Sequence, residues 1–248
     1  MTTLLAIETS TEACSVAVWR DGEVLERFEI APRQHAKLLL PWCEEVLAEA
    51  GVAKSQLDAI AVGRGPGAFT GVRLAIAAAQ GMALGLDRPL LPVSTLAALA
   101  LAPTVPEPSQ EHPLADGQKI MAAIDARMGE VYAACYESRG NGELIALGDE
   151  TLAALDVLAL PDGDCWIGVG TGFAASDGEL RLRMGSQLIE CREAALPRAA
   201  AVARLGARDF AAGLAVAPER VEPAYLRNKV ALTLVEQRAA RAAKDAAG

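Results

Sequence analysis

Apolar and polar positions set out three short extended runs at the start of the chain, and then the period changes. Leu4–Glu8 is an apolar run that ends on a carboxylate and reads as a buried strand. Cys14–Arg20 reads as a second strand, and Asp21-Gly22 suits a two-residue hairpin turn into an alternating third strand, Val24–Ile30. Next, Ala36, Leu39, Leu40, Cys43, Val46, Leu47 and Ala50 recur at steps of three and four, the mark of an amphipathic helix closed by Gly51. Pro41 lies inside that pattern, so the helix either kinks there or becomes regular only near it. Asp58–Gly63 is a fourth strand, and a glycine-rich turn leads into a long helix from Phe69 to Gly85. Leu90–Val93 is a fifth strand, with Ser94 as N-cap of a short helix over Thr95–Ala102.

Pro103–Gly117 holds four prolines and no periodicity, and reads as a surface connection. Beyond it the order starts again. Lys119–Asp125 and Val131–Glu137 are strands, Asn141-Gly142 marks a hairpin, and Glu143–Leu147 is a third strand. A short helix is expected over Thr151–Leu158, a buried strand over Trp166–Gly170, and a helix over Arg198–Ala212 stopped by Gly213. The repetition predicts an α/β protein of duplicated β-β-β-α-β-α lobes with helices packed on mixed sheets. The expected divisions are residues 1–102, a connection over 103–118, and residues 119–248 with a helical tail.

Composition narrows the class. Of 248 residues, 52% are hydrophobic and only 4% aromatic, so a real core is built from Ala, Val and Leu rather than from rings. No stretch approaches the roughly 20 uncharged apolar residues of a membrane span. The Leu4–Ile7 run is too short for a secretory signal and has no basic region before it, which makes a cytoplasmic location the expectation. The five cysteines include no C-x-x-C pair and read as reduced, mostly buried thiols. Net charge is −9, but from Arg220 onward six Lys/Arg face three Asp/Glu, so a basic tail follows an acidic body. That tail reads either as a solvated helix or as a contact for RNA phosphates.

Three segments are candidates for chemistry. Glu8-Thr9-Ser10-Thr11-Glu12, between two strands, suits either a phosphate-gripping turn or a turn whose hydroxyls bond their own backbone. Gly63-Arg64-Gly65-Pro66-Gly67-Ala68-Phe69-Thr70-Gly71 joins a strand to a helix and is neither G-x-x-x-x-G-K-[ST] nor G-x-G-x-x-G. Its glycines serve either a bound phosphate at a helix N-terminus or close packing of chain segments, and Arg64 and Arg73 suit an anion or an acidic partner. On the following helix, Gly71, Ala75, Ala78, Met82 and Gly85 share one face almost bare of bulk, which suits either the chain's own sheet or a partner. The two histidines, His35 and His112, stand in different regions, so a hydrolase triad or a histidine metal site is hard to build.

Together, Leu5-Ala6-Ile7-Glu8-Thr9-Ser10, the glycine-rich segment through Val72-Arg73, Asp125-Ala126-Arg127 and Pro223-Ala224-Tyr225-Leu226-Arg227 closely resemble the TsaB family, also called YeaZ. The resemblance spans essentially the whole chain. It implies a two-lobed actin-like ATPase fold, of the sugar kinase, Hsp70 and RNase H kind. It also implies a role in making N6-threonylcarbamoyladenosine at position 37 of tRNAs that read codons beginning with A. In that pathway the related subunit TsaD transfers the threonylcarbamoyl group from threonylcarbamoyl-adenylate to the adenine N6. TsaB is its non-catalytic partner, and the ATPase TsaE joins them.

The resemblance can be carried over residue by residue. TsaD holds a metal on an H-x-x-x-H helix after the fifth strand. Here Thr95 and Leu99 occupy those two places, and leucine offers a metal no lone pair. Asp125-Ala126-Arg127 replaces the glycine-rich phosphate turn of the catalytic lobe, and an acidic side chain there repels a polyphosphate. No catalytic, metal or cofactor residue is therefore expected in this chain, with ATP and a metal ion belonging to the partners. TsaD and TsaE are the expected partners, tRNA is met only through the complex, and a homodimer is expected for the chain alone. The expected partner surface is Leu39, Cys43, Val46, Gly71, Ala75, Ala78 and Met82, and the expected structural loop is Gly63, Gly65, Pro66, Gly67 and Gly71. The competing readings are an actin-like ATPase or small-molecule kinase, which needs nucleotide affinity, and a peptidase, which needs a nucleophile–base pair.

Overall fold

The computed structural model describes residues 2–101, 114–139 and 143–227. Most of the proline-rich connection, His112, the Asn141-Gly142 turn and the basic tail beyond Arg227 lie outside the described residues.

Two sheets share one topology. In the first, strands β1 (Thr3–Glu8), β2 (Ala13–Arg20), β3 (Glu23–Ile30), β4 (Ala59–Gly63) and β5 (Leu90–Val93) lie in the order β3-β2-β1-β4-β5. The first three run antiparallel and the last two add in parallel. In the second, β6 (Lys119–Arg127), β7 (Glu130–Ser138), β8 (Leu144–Ala146), β10 (Trp166–Val169) and β11 (Leu188–Arg192) lie in the order β11-β10-β6-β7-β8, with the same senses of pairing. The duplicated lobe is therefore real. Its second copy needs β11, which was not visible in the pattern because this edge strand is half exposed and does not alternate.

The expected helix over Thr151–Leu158 is replaced by β9 (Thr151–Ala154), which pairs with Glu130–Ala133 of β7. Leu and Ala favour a helix locally, but β8 covers only Tyr136–Ser138 of β7. The uncovered backbone of β7 recruits Thr151–Ala154, and tertiary pairing overrides propensity.

Helices α1 (His35–Glu49) and α2 (Phe69–Leu86) cover one face of the first sheet. Their buried residues join Leu5, Ile7, Val16, Val18, Ile60 and Val62 in one core. Helix α1 continues through Pro41, which lies on its exposed side. By length and composition, with mean hydropathy 1.3 over 18 residues, α2 is apolar enough to cross a bilayer, which corrects the expectation that no segment comes close. Here Val72, Ala75, Ile76, Ala79 and Ala83 bury against the sheet, as in the core helix of an α/β lobe.

The other face of the first sheet carries α5 (Ala199–Ala211), which comes late in the chain. Leu4, Ala6, Ala17, Ala59 and Ala61 meet Ala201, Val202, Ala203 and Leu205 there. Alanine on both sides lets the helix backbone come close, and a Cβ on Gly206 would lie 2.7 Å from that of Ala61. Val216 then bridges Leu90, and Gln80 Nε2 donates to the carbonyls of Pro218 and Val221. The stretch Arg198–Val221, which lies within the expected division 119–248, thus packs on the first lobe. Between the lobes sits α3 (Thr95–Ala100), capped as expected by Ser94, which accepts from the Ala97 N–H at 3.1 Å. Its Leu96 and Leu99 bury among Ile120, Ala122, Ile167 and Val169 of the second sheet. The outer face of that sheet is closed by α4 (Ala175–Met184) and by Phe173.

Candidate functional site

The turn after β1 is filled from within. Glu8 is buried, and its carboxylate accepts from the Ser10 N–H at 2.6 Å and from the Thr95 hydroxyl at 3.0 Å. Thr95 Oγ1 also accepts from the Gly65 N–H at 3.1 Å and lies 2.9 Å from Ser10 Oγ. The Thr9 hydroxyl donates to the Gly71 carbonyl at 2.8 Å. Burial pushes the Glu8 carboxyl above its ordinary pKa of 4.5, against the lowering effect of the hydrogen bonds from Ser10, Thr95 and Thr9.

The glycine-rich loop makes this closeness possible. A Cβ on Gly71 would overlap the Thr9 carbonyl oxygen, and one on Gly63 would overlap the Glu8 carboxylate. At Gly67 it would come within 2.5 Å of the Ser10 carbonyl oxygen, and Ala68 N–H donates to that same oxygen at 2.7 Å. Gly65 has φ +89, a conformation that needs glycine. Loop and turn pack backbone to backbone.

The two positions on α3 weighed for a metal, Thr95 and Leu99, are both taken up within the fold. Thr95 is committed to Glu8, Ser10 and Gly65, and Leu99 is fully buried in the core, so neither presents a donor outward.

Between the lobes lies a cleft of about 810 Å³. The first lobe lines it with Thr11, Glu12, Arg33, His35 and the start of α2. Asp125-Ala126-Arg127 faces it from the second lobe. Asp125 Oδ1 accepts from the Arg127 N–H at 2.8 Å, and its Oδ2 pairs with the Arg127 guanidinium at 3.0 Å, so this turn too is closed on itself. His35 Nε2 lies 3.1 Å from the Ala13 carbonyl, a local bond. Arg64 is committed across the lobes to Glu150 at 3.1 Å, and Glu150 also accepts from Ser94. Arg73 instead stacks on Phe69, 3.4 Å from the ring centroid, and donates to Tyr225 Oη at 3.0 Å.

The expected partner surface is corrected. Leu39, Cys43, Val46, Gly71 and Ala75 are buried in the chain's own core, and Ala78 and Met82 are half-buried at its edge. The small-residue stripe lets α2 lie against its own sheet and the Thr9 turn. The face left open is one step round the helix, at Ala77, Gly81, Leu84 and Gly85, with Leu84 66% exposed. The five cysteines are unpaired. Burial pushes the thiols of Cys14 and Cys43 up to about 11 and about 12, whereas Cys165 is exposed.

Sequence reasoning missed the clasp made by Arg227. Its guanidinium donates to the Ala126 carbonyl at 2.9 Å and pairs with Glu130 at 2.7 Å, tying the end of the first-lobe return to the second lobe. The motif around Pro223–Arg227 was its only trace.

The duplicated topology, with α3 between the lobes and a cleft facing the β1 and β6 turns, defines a two-lobed protein of the actin-like class. A family model described as "TsaD: tRNA N6-adenosine threonylcarbamoyltransferase" matches residues 28–231. The "tRNA threonylcarbamoyladenosine biosynthesis protein TsaB" of Escherichia coli is 42% identical over 92% of this chain and 96% of its own length. The protein of the same name in Haemophilus influenzae is 38% identical over 92% and 94%. The solved structure "YeaZ from Pseudomonas aeruginosa" superposes with a TM-score of 0.79 at 43% identity, covering 91% of this chain and all of that one. The chain belongs to the TsaB family of tRNA threonylcarbamoyladenosine biosynthesis proteins.

Proposed function

We propose that this chain is the non-catalytic subunit of the assembly that transfers the threonylcarbamoyl group to N6 of adenosine 37 in tRNA. The observation that carries the reading is the bonding of the β1 turn. Glu8, Thr9, Ser10 and Thr95 are hydrogen-bonded to one another and to the glycine-rich loop, so the groups that would grip a phosphate in a two-lobed ATPase are already occupied. Opening that turn to a nucleotide would leave a buried carboxylate and its donors unsatisfied.

The chain then acts by contact. The open face of α2, with exposed Leu84 and the neighbouring Ala77 and Gly81, holds the TsaD subunit, which shares the fold and so offers an equivalent helix pair. The same face serves a homodimer when that subunit is absent. TsaE completes the assembly, ATP and the metal ion are held by the partners, and tRNA is met through the complex. Titration calorimetry of the pure chain with ATP–Mg tests the reading. No saturable binding is expected, and saturable micromolar binding would overturn it in favour of an actin-like ATPase.

A further inference from the structure

Two polar contacts join the lobes in addition to the apolar packing of α3. At the first, the Arg64 guanidinium pairs with Glu150 at 3.1 Å, the two side chains 32% and 16% exposed. The Ser94 hydroxyl donates to the same carboxylate, and the Tyr136 hydroxyl on β7 is hydrogen-bonded to Ser94. Arg64 and Ser94 come from the first lobe, Tyr136 and Glu150 from the second. At the other contact, Arg227 pairs with Glu130 at 2.7 Å and donates to the Ala126 carbonyl at 2.9 Å, again with both charges partly shielded from water.

One residue connects the two contacts. The Ala224 N–H donates to the Arg64 carbonyl at 2.8 Å. Arg64 thus makes the first contact with its side chain, and with its backbone holds the segment that delivers the second. That segment starts from Val221, which is buried in the first-lobe core and whose carbonyl accepts from Gln80. Pro223 stiffens the path, and Tyr225 accepts from Arg73 on the way. By Arg227 the chain has reached the second lobe, and Pro223–Arg227 lines the cleft throughout.

Leu96 and Leu99 of α3 attach the lobes, but apolar burial has no direction and leaves the angle between them open. Relative motion is the ordinary behaviour of two lobes in one chain, and closure around a ligand is its common form. Charge pairs with defined partners do fix an angle, the more so when partly out of water. We propose that Arg64 and Arg227 form a two-point latch that holds the lobes at one angle without help from a ligand, with Val221–Arg227 as the strap that carries the second point. The latch rests on these contacts and not on the reading of the chain as a non-catalytic subunit.

The test is the distance between two spin labels on the full chain, at Lys37 on α1 and Leu182 on α4, both exposed. His35 and Ala175, at the starts of those helices, line the cleft from its two lobes, so the distance spans it. Genetically encoded labels leave the five cysteines in place. Pulsed electron resonance should give one narrow distance distribution for the wild type at low salt. Rising salt should widen it, because neither ion pair is fully buried. Arg64→Ala/Arg227→Ala should widen it at low salt, with unchanged circular dichroism as the control for folding. Glu130→Gln/Glu150→Gln removes both carboxylate charges at nearly constant shape, and carries the same expectation should the alanine variant fail to fold. A wild-type distribution that is broad at low salt, or a folded variant as narrow as the wild type, overturns the proposal.

Discussion

The Glu26 carboxylate lies 2.6 Å from the Arg198 guanidinium, with the two side chains 9% and 10% exposed. This pair holds the late helix α5 to the first sheet. Arg198 is the N-cap residue of α5 and gives it no side-chain cap. The cap comes from β2 and β3 instead. Glu26 accepts from the Ala200 N–H at 2.9 Å, and Ser15 Oγ accepts from the Ala199 N–H at 2.9 Å. Ser15 also donates to Glu26 at 2.8 Å, and Arg198 stacks on Phe28.

Removing one partner of such a buried pair strands the other, at a cost of about 3–5 kcal/mol. Glu26→Ala is therefore expected to lower the unfolding free energy by that amount in urea titration. Hydrogen exchange should show the first turn of α5 losing protection before β1 and β4 do. Unchanged protection in α5 would mean that the cap adds nothing.

Glu8 gives the stability a pH dependence of known sign. Burial raises its folded pKa above 4.5, so below that value both folded and unfolded chains are protonated at this site. Above it the unfolded chain ionises first. The site's contribution to stability then falls as pH rises from about 4.5 towards the raised folded value. Glu8→Gln removes the titration, so the stability of the variant relative to wild type should climb as pH rises from about 4.5 towards the raised folded value. A gap that stays constant or narrows across that range would contradict the assignment.

The two faces of α2 separate in a single comparison. Ala75 has no exposed surface, so Ala75→Glu buries an unpaired charge, and the chain should unfold or melt far lower. Ala77 is exposed, so Ala77→Glu should melt close to wild type and change assembly instead. Equal melting temperatures for the two variants would contradict the orientation of α2.

Gly71→Ala tests the packing of the loop. The added methyl overlaps the Thr9 carbonyl, a backbone atom that can move only if the β1 turn moves. Overpacking of this kind costs about 1–3 kcal/mol. Gly81→Ala, where an added Cβ meets nothing within 4 Å, should be neutral or slightly stabilising in the same urea titration.

Much of this architecture could be read from residue order. The first lobe was legible because its strands are apolar or alternating runs and its helices have a clean three-and-four period. The period could not say which face of α2 looks inward, because Gly71, Ala75 and Ala78 are small enough for either role. What settles it is the Thr9 carbonyl, which leaves no room for a side chain at Gly71. The return of Arg198–Arg227 to the first lobe was illegible for a different reason. Its anchors, Glu26 with Arg198 and Arg73 with Tyr225, are 172 and 152 residues apart, and no local pattern records such a pairing. At Glu8 the sequence allowed both a phosphate grip and a self-bonded turn, and only the hydrogen bonds of Thr95 distinguish them.

The most direct measurement is the yield of threonylcarbamoyladenosine on tRNA in a reconstituted mixture of threonylcarbamoyl-adenylate, a TsaD-type subunit and a TsaE-type ATPase, with and without this chain. Our account predicts that sustained modification needs the chain and that the chain without the TsaD-type subunit gives none. Modified tRNA formed by this chain alone, or an undiminished yield in its absence, would contradict it.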